Sequence, residues 1–153
     1  MTQLRARAAT TNITPDRPMP NYYGGSFERE PDSDLLCHAV CLECGETYAA
    51  LVSLDATFID RALVLAIREH CELTTGVPAE NIAIAATHTH AAPPLDVSFL
   101  AGRLPDPLYQ ELVARRVVEA VSAAKGDLQV ACLLAGRCAT AGIEHCRRLA
   151  ASR

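Results

Sequence analysis

No run of 18 apolar residues occurs in this 153-residue chain, so no segment is suited to cross a membrane as a helix. The opening, MTQLRARAATTNITPD, lacks the apolar stretch of a secretory signal, and a cytoplasmic location is expected. Internal repeats and low-complexity tracts are absent, and the length suits one domain. A concentrated charge of one sign is missing too. The net charge is −4, and the thin basic excess of residues 103–153 is scattered without interleaved aromatics, so nucleic acid is not an expected partner. Ser53 and Ser98 lack the context of a nucleophile elbow. Tyr22-Tyr23-Gly24-Gly25 is not followed by a helix opening on Gly-Lys-Ser/Thr, which excludes a phosphate loop.

What is present suits an ordered core. Hydrophobic residues make up 50% of the chain, charged residues 21%, and mean hydropathy is +0.11. That excludes disorder, collagen and a disulfide-dominated mini-protein. A domain of this size buries roughly 68–70% of its unfolded surface. The seven cysteines (37, 41, 44, 71, 132, 138 and 146) are an odd number without an export signal, so reduced thiols are expected. Cys37-His38-x-x-Cys41-x-x-Cys44 has the spacing of a zinc motif. Strand alternation over 35–42, however, puts Cys37 and Cys41 on one face and His38 on the other, so no structural zinc is expected there.

The segment from Thr14-Pro15 to Pro31 is rich in Pro, Gly and Tyr and reads as an ordered N-terminal loop. Two apolar runs, 35–42 and 48–54, flank a turn with Gly45 and predict a β-hairpin. Helical spacing of Ile59, Ala62, Leu63, Ala66 and Ile67 predicts a helix over about 60–75, capped by Asp60 and stopped by Gly76. Residues 81–86 read as a buried strand. Asp106-Pro107 opens a second helix that ends at Gly126, and 128–135 reads as a further buried strand. Strands alternating with helices from residue 48 onward predict an α/β fold, a largely parallel sheet with helical crossovers.

In such a sheet, ligands bind beyond the carboxyl ends of the strands. Two ends carry polar, metal-capable residues: Asp55 after the 48–54 run, and Thr87-His88-Thr89-His90 after the 82–86 run. The intervening helix makes these strands one βαβ unit, so Asp55, His88 and His90 are expected on one rim. Residues i and i+2 of an extended chain project to the same side, about 6.5–7 Å apart, so two imidazoles can meet one ion or divide metal binding from proton transfer. Zinc suits imidazole nitrogen. His70, between Glu69 and Glu72 on a solvated face, and His145, beside Cys146 in the tail, are set aside.

Thr11-Asn12-Ile13-Thr14-Pro15, Pro18-Met19, the Tyr-Gly-Gly turn, Ser53-Leu54-Asp55, Val77-Pro78-Ala79-Glu80-Asn81 and Ala86-Thr87-His88-Thr89-His90 occur in an order and spacing that resemble the N-terminal catalytic region of neutral/alkaline ceramidases. The likeness runs from about Ala9 to Arg148. Members of that family are zinc-dependent amidases that hydrolyse the N-acyl bond of ceramide. The resemblance implies a lipid amide substrate, Zn2+ held by His88, and His90 contacting substrate or shuttling a proton. It implies Arg147 as the active-site arginine, although the family's Asn-Arg reads Cys146-Arg147 here and its Ser-Gly-Pro reads Ala91-Ala92-Pro93. The family draws a second histidine, a glutamate and a tyrosine to zinc from regions beyond this length. The chain is therefore expected to be an incomplete domain, the front part of an amidase lacking its C-terminal portion and inactive alone. Two other readings are a non-catalytic α/β module with structural histidines and a TIM-barrel amidohydrolase. The barrel needs about 250 residues and places His-x-His after its first strand, whereas at least two strands precede it here.

Overall fold

Strand formation begins earlier than the sequence pattern indicates. The computed structural model describes residues 3–23, 33–97, 102 and 104–139. In it β1 (Leu4–Asn12) precedes the expected hairpin of β2 (Leu36–Cys44) and β3 (Thr47–Leu54). β1 pairs antiparallel with β2 over its whole length, from Leu4 opposite Cys44 to Asn12 opposite Leu36. Its sequence LRARAATTN has one large apolar residue, so its hydrophobic pattern is faint. Tertiary contacts hold it: Ala9 packs against the core, and the Thr11 hydroxyl donates to the carbonyl of Arg116 at 2.9 Å.

β2 and β3 close through Gly45-Glu46, with Gly45 at φ 63°, a conformation that glycine adopts without penalty. The chain continues with α1 (Arg61–Thr75), a 3₁₀ turn (Ala79–Asn81), β4 (Ile82–Ala86), α2 (Pro107–Gly126) and β5 (Gln129–Val130). Both helices begin and end on the expected residues. Asp60 accepts from the amide of Ala62, and Gly76, left-handed at φ 71°, donates back to Glu72. Asp106 accepts from the amides of Leu108 and Tyr109 ahead of Pro107 in the first turn.

The α/β class holds, but the expected largely parallel sheet is corrected. The strand order is β4-β3-β2-β1-β5, and only β3 with β4 is parallel. β1 enters between β2 and β5, antiparallel to both, so that β5 runs opposite to β3 and β4 where it was expected to be parallel with them. The expected third buried strand over 128–135 is corrected as well. β5 has two residues, both exposed, and Leu133 and Leu134 are 82% and 88% exposed, because no described element packs against them.

α2 lies across β1, β2 and β3, and α1 packs against α2, so both helices cover one face of the sheet. The pleat turns Cys37, Ala39, Cys41, Ala50, Val52 and Leu54 to that face, and all are buried. They form one core with Ile67 and Cys71 of α1 and Val113, Val117 and Val121 of α2. Each fully buried Val, Leu or Ile contributes about 1.5–3 kcal/mol. His38 and Cys44 are exposed on the opposite face, as the alternation required.

Candidate active site

The parallel pair β3–β4 brings the two polar strand ends together. Its hydrogen bonding runs past the strands: the amide of Thr87 donates to Leu54 O (2.8 Å) and that of His88 to Ala56 O (2.9 Å). Side chains complete the junction. Thr87 Oγ1 donates to Asp55 Oδ1 at 3.2 Å, and Thr57 Oγ1 donates to the carbonyl of Thr89 at 2.7 Å. Asp55 Oδ2 also accepts from the amide of Leu36 at 3.0 Å. One half-buried carboxylate thus ties the start of β2 to the ends of β3 and β4.

The histidines follow that clasp, although not on the extended chain that the spacing suggested. β4 stops at Ala86, and His88 is left-handed at φ 66°, the sole non-glycine residue with positive φ among the described residues. Histidine is among the residues that tolerate this region, at a cost of roughly 1–2 kcal/mol. The local turn sets the two imidazoles edge to face, with ring centroids 5.0 Å apart and planes at 84°. The structure thus brings His88 and His90 together with Asp55 at one end of the sheet. Arg147 lies outside the described residues.

Each imidazole has a partner. His88 Nδ1 is 2.9 Å from the carbonyl of Thr57. A carbonyl only accepts, so Nδ1 carries the proton and the lone pair sits on Nε2. Such a backbone bond is the usual orienter of a metal-ligating histidine. His90 Nε2 is 3.2 Å from the hydroxyl of Tyr23.

Aromatic rings surround the pair. Tyr23 lies against His90 (4.4 Å between centroids), Phe58 against His88 (4.8 Å), and Tyr22 bridges Phe58 and Tyr23 at 5.2 Å from each. Tyr22 is buried, whereas Tyr23 and Phe58 are 40% and 42% exposed, so the apolar wall opens to solvent beside the imidazoles. Sequence reasoning missed Thr57, Phe58, Tyr22 and Tyr23. One signal was available: the chain has only seven aromatic residues, and three of them stand here. A cleft of about 430 Å³ between the loop after β1 and the start of α2, lined by Arg17, Met19 and Tyr109 among others, includes neither histidine.

His88 is oriented through Nδ1 on a backbone carbonyl, but the described residues do not complete a metal site. No three His, Cys, Asp or Glu side chains among them gather around a common point. A catalytic zinc takes three protein ligands and leaves one position open.

No family model matches the sequence, and a comparison with curated proteins finds no match. The fold is similar to that of solved ceramidases. A structure described as ceramidase complexed with C2 is 19% identical, with a TM-score of 0.68. The neutral ceramidase from Pseudomonas aeruginosa is also 19% identical, with a TM-score of 0.70. In both cases the likeness covers 85% of this chain and 22% of the other, so the chain spans about a fifth of the length of these proteins. Over most of its length, this chain has the fold of a part of neutral ceramidase, as the Thr-His-Thr-His element and its companion motifs implied.

Proposed function

We propose that this chain forms the histidine-bearing part of the active site of a zinc-dependent hydrolase that cleaves the N-acyl bond of a ceramide-like lipid amide. One observation carries the reading. His88, at the end of a strand in a ceramidase-like fold, has Nδ1 fixed on the Thr57 carbonyl and Nε2 left free for a metal. When bound, zinc supplies Lewis acidity and a water activated near neutral pH. The rest of the work falls to side chains. His88 presents Nε2 as one ligand. His90, edge to face with it, handles the proton that must reach the leaving amine. Phe58, Tyr22 and Tyr23 offer an apolar wall against which an acyl chain can lose water. Arg147 binds the oxyanion or a polar group of the substrate.

On this reading the further ligands lie outside the described residues, and the chain alone is expected to be inactive. Zinc titration by calorimetry checks this. Weak 1:1 binding that disappears in His88→Ala is expected, with no hydrolysis of N-acyl sphingosine. Zinc binding that survives His88→Ala would remove the ligand role. Tight stoichiometric zinc with robust turnover would show the site to be complete.

A further inference from the structure

The two histidines are held at different nitrogens, and a tyrosine makes the difference. In His88 the nitrogen engaged is Nδ1, on the Thr57 carbonyl. In His90 it is Nε2, on the Tyr23 hydroxyl at 3.2 Å. The same tyrosine ring lies against the imidazole, with centroids 4.4 Å apart and planes at 42°, so one side chain both packs on His90 and bonds to it.

We propose that Tyr23 is a positioning residue acting through His90: its hydroxyl donates to Nε2, fixes the Nδ1–H tautomer and withholds Nε2 from a metal. Histidines two residues apart would otherwise compete for the same ion. Tyr23 divides them into one ligand and one proton-handling group. The ligand half of that division rests on the function proposed above, whereas the tautomer of His90 does not.

The direction of the bond follows from its chemistry. A phenol O–H is more acidic than the N–H of a neutral imidazole, and an imidazole lone pair is a good acceptor, so the hydroxyl donates. Tyr23 is well placed to do this reliably. Its neighbour Tyr22 is buried and packs against Phe58, and the Tyr22 amide donates to the carbonyl of Ala92 at 3.0 Å, two residues beyond His90. The amide of Tyr23 itself donates to Asn21 Oδ1 at 3.0 Å. The tyrosine loop and the histidine turn are thereby tied backbone to backbone, and the Tyr23–His90 contact sits across that tie.

The test is spectroscopic and needs no turnover. Metal-free protein labelled with ¹⁵N-histidine is studied at alkaline pH, where imidazole is neutral, by long-range proton–nitrogen correlation, and His90→Gln identifies the His90 signals. The expected result is a single His90 tautomer protonated at Nδ1. In Tyr23→Phe, which keeps the ring but loses the hydroxyl, the two His90 nitrogens should move towards each other as tautomers interconvert, while those of His88 stay in place. A wild-type His90 protonated at Nε2 overturns the proposal, and so do His90 nitrogens that are unmoved in Tyr23→Phe. The wild-type tautomer is read without Tyr23→Phe, so the test survives a Tyr23→Phe that folds poorly. Loss of the zinc or amidase reading leaves these signals unaffected, so the two failures are distinguishable.

Discussion

Asp55 stands at the same end of the sheet as the histidines, and its hydrogen bonds give it a definite task. Both carboxylate oxygens are occupied, one by the Leu36 amide and the other by the Thr87 hydroxyl. Asp55 therefore positions Thr87, and through it the turn that carries His88. Asp55→Ala leaves a partly buried amide without its acceptor, and roughly 1–3 kcal/mol of stability should be lost in urea unfolding. Asp55→Asn, which keeps one oxygen for Leu36, should lose less. Equal losses would show that the Leu36 bond contributes little.

The buried thiols have a different consequence. Burial pushes the thiols of Cys37 and Cys71 up to about 11, with Asp55 adding to the rise at Cys37 and Cys41 at Cys71, while burial also raises Cys41. The folded state then holds these protons more tightly than the unfolded chain. Stability is thus fully present below the ordinary thiol value of about 9 and declines as pH climbs from there towards about 11. Native labelling at pH 8 should reach the exposed Cys44, Cys132 and Cys138 quickly, and reach Cys37, Cys41 and Cys71 only after unfolding. Rapid native labelling of Cys37 would contradict its burial.

At the scale of elements, what could be read from the sequence was what is decided locally. A cap is settled within three residues, so Asp60, Gly76, Asp106 and Pro107 marked the helix ends correctly. Asp106 also gives α2 a pH dependence. The amide of Tyr109 and then Arg17 hold its carboxyl below the usual range. Its contribution is present above the ordinary carboxylate value and is lost as pH falls through the lowered one. Asp106→Ala should destabilise the protein by about 1 kcal/mol at neutral pH and flatten the decline in acid, as thermal melts at several pH values would record. β1 was illegible for the opposite reason. Its partners begin at Leu36 and Gln129, far along the chain, and its own alternation of arginine and alanine carries little apolar signal. Missing that strand also misjudged the sheet, since a single inserted antiparallel strand changes the pairing on both sides. His88 and His90 could be read as a pair because they stand two residues apart, although a left-handed turn at His88 and not an extended strand sets their rings edge to face. Tyr22, Tyr23 and Phe58 reach them only through the tertiary fold.

At the scale of the whole molecule, the two faces of the sheet are unequal. The helices cover one. The other is formed by the alternate residues of β1 to β4, including Leu4, Ala6, Val40, Leu42, Ala49, Leu51, Ala83 and Ala85, and no described element packs across it. None of its strand positions is Asp, Glu, Lys or Arg, in a chain where such residues make up 21%. A solvated sheet face normally alternates to polar residues, so an uncharged one that includes a Leu51 54% exposed is prone to meet another apolar surface. The isolated chain should therefore associate as its concentration rises. Sedimentation velocity across a hundredfold range of concentration should show a growing average mass. Leu51→Lys places a charge at the middle of β3, on the uncovered side, where it disturbs no buried contact. It should shift the protein towards monomer with little change in its urea midpoint. Monomer throughout for the wild-type chain would mean that this face is too small or too curved to hold a partner. Association unaffected by Leu51→Lys would place the contact elsewhere, with the exposed Leu133 and Leu134 after β5 the next surface to alter.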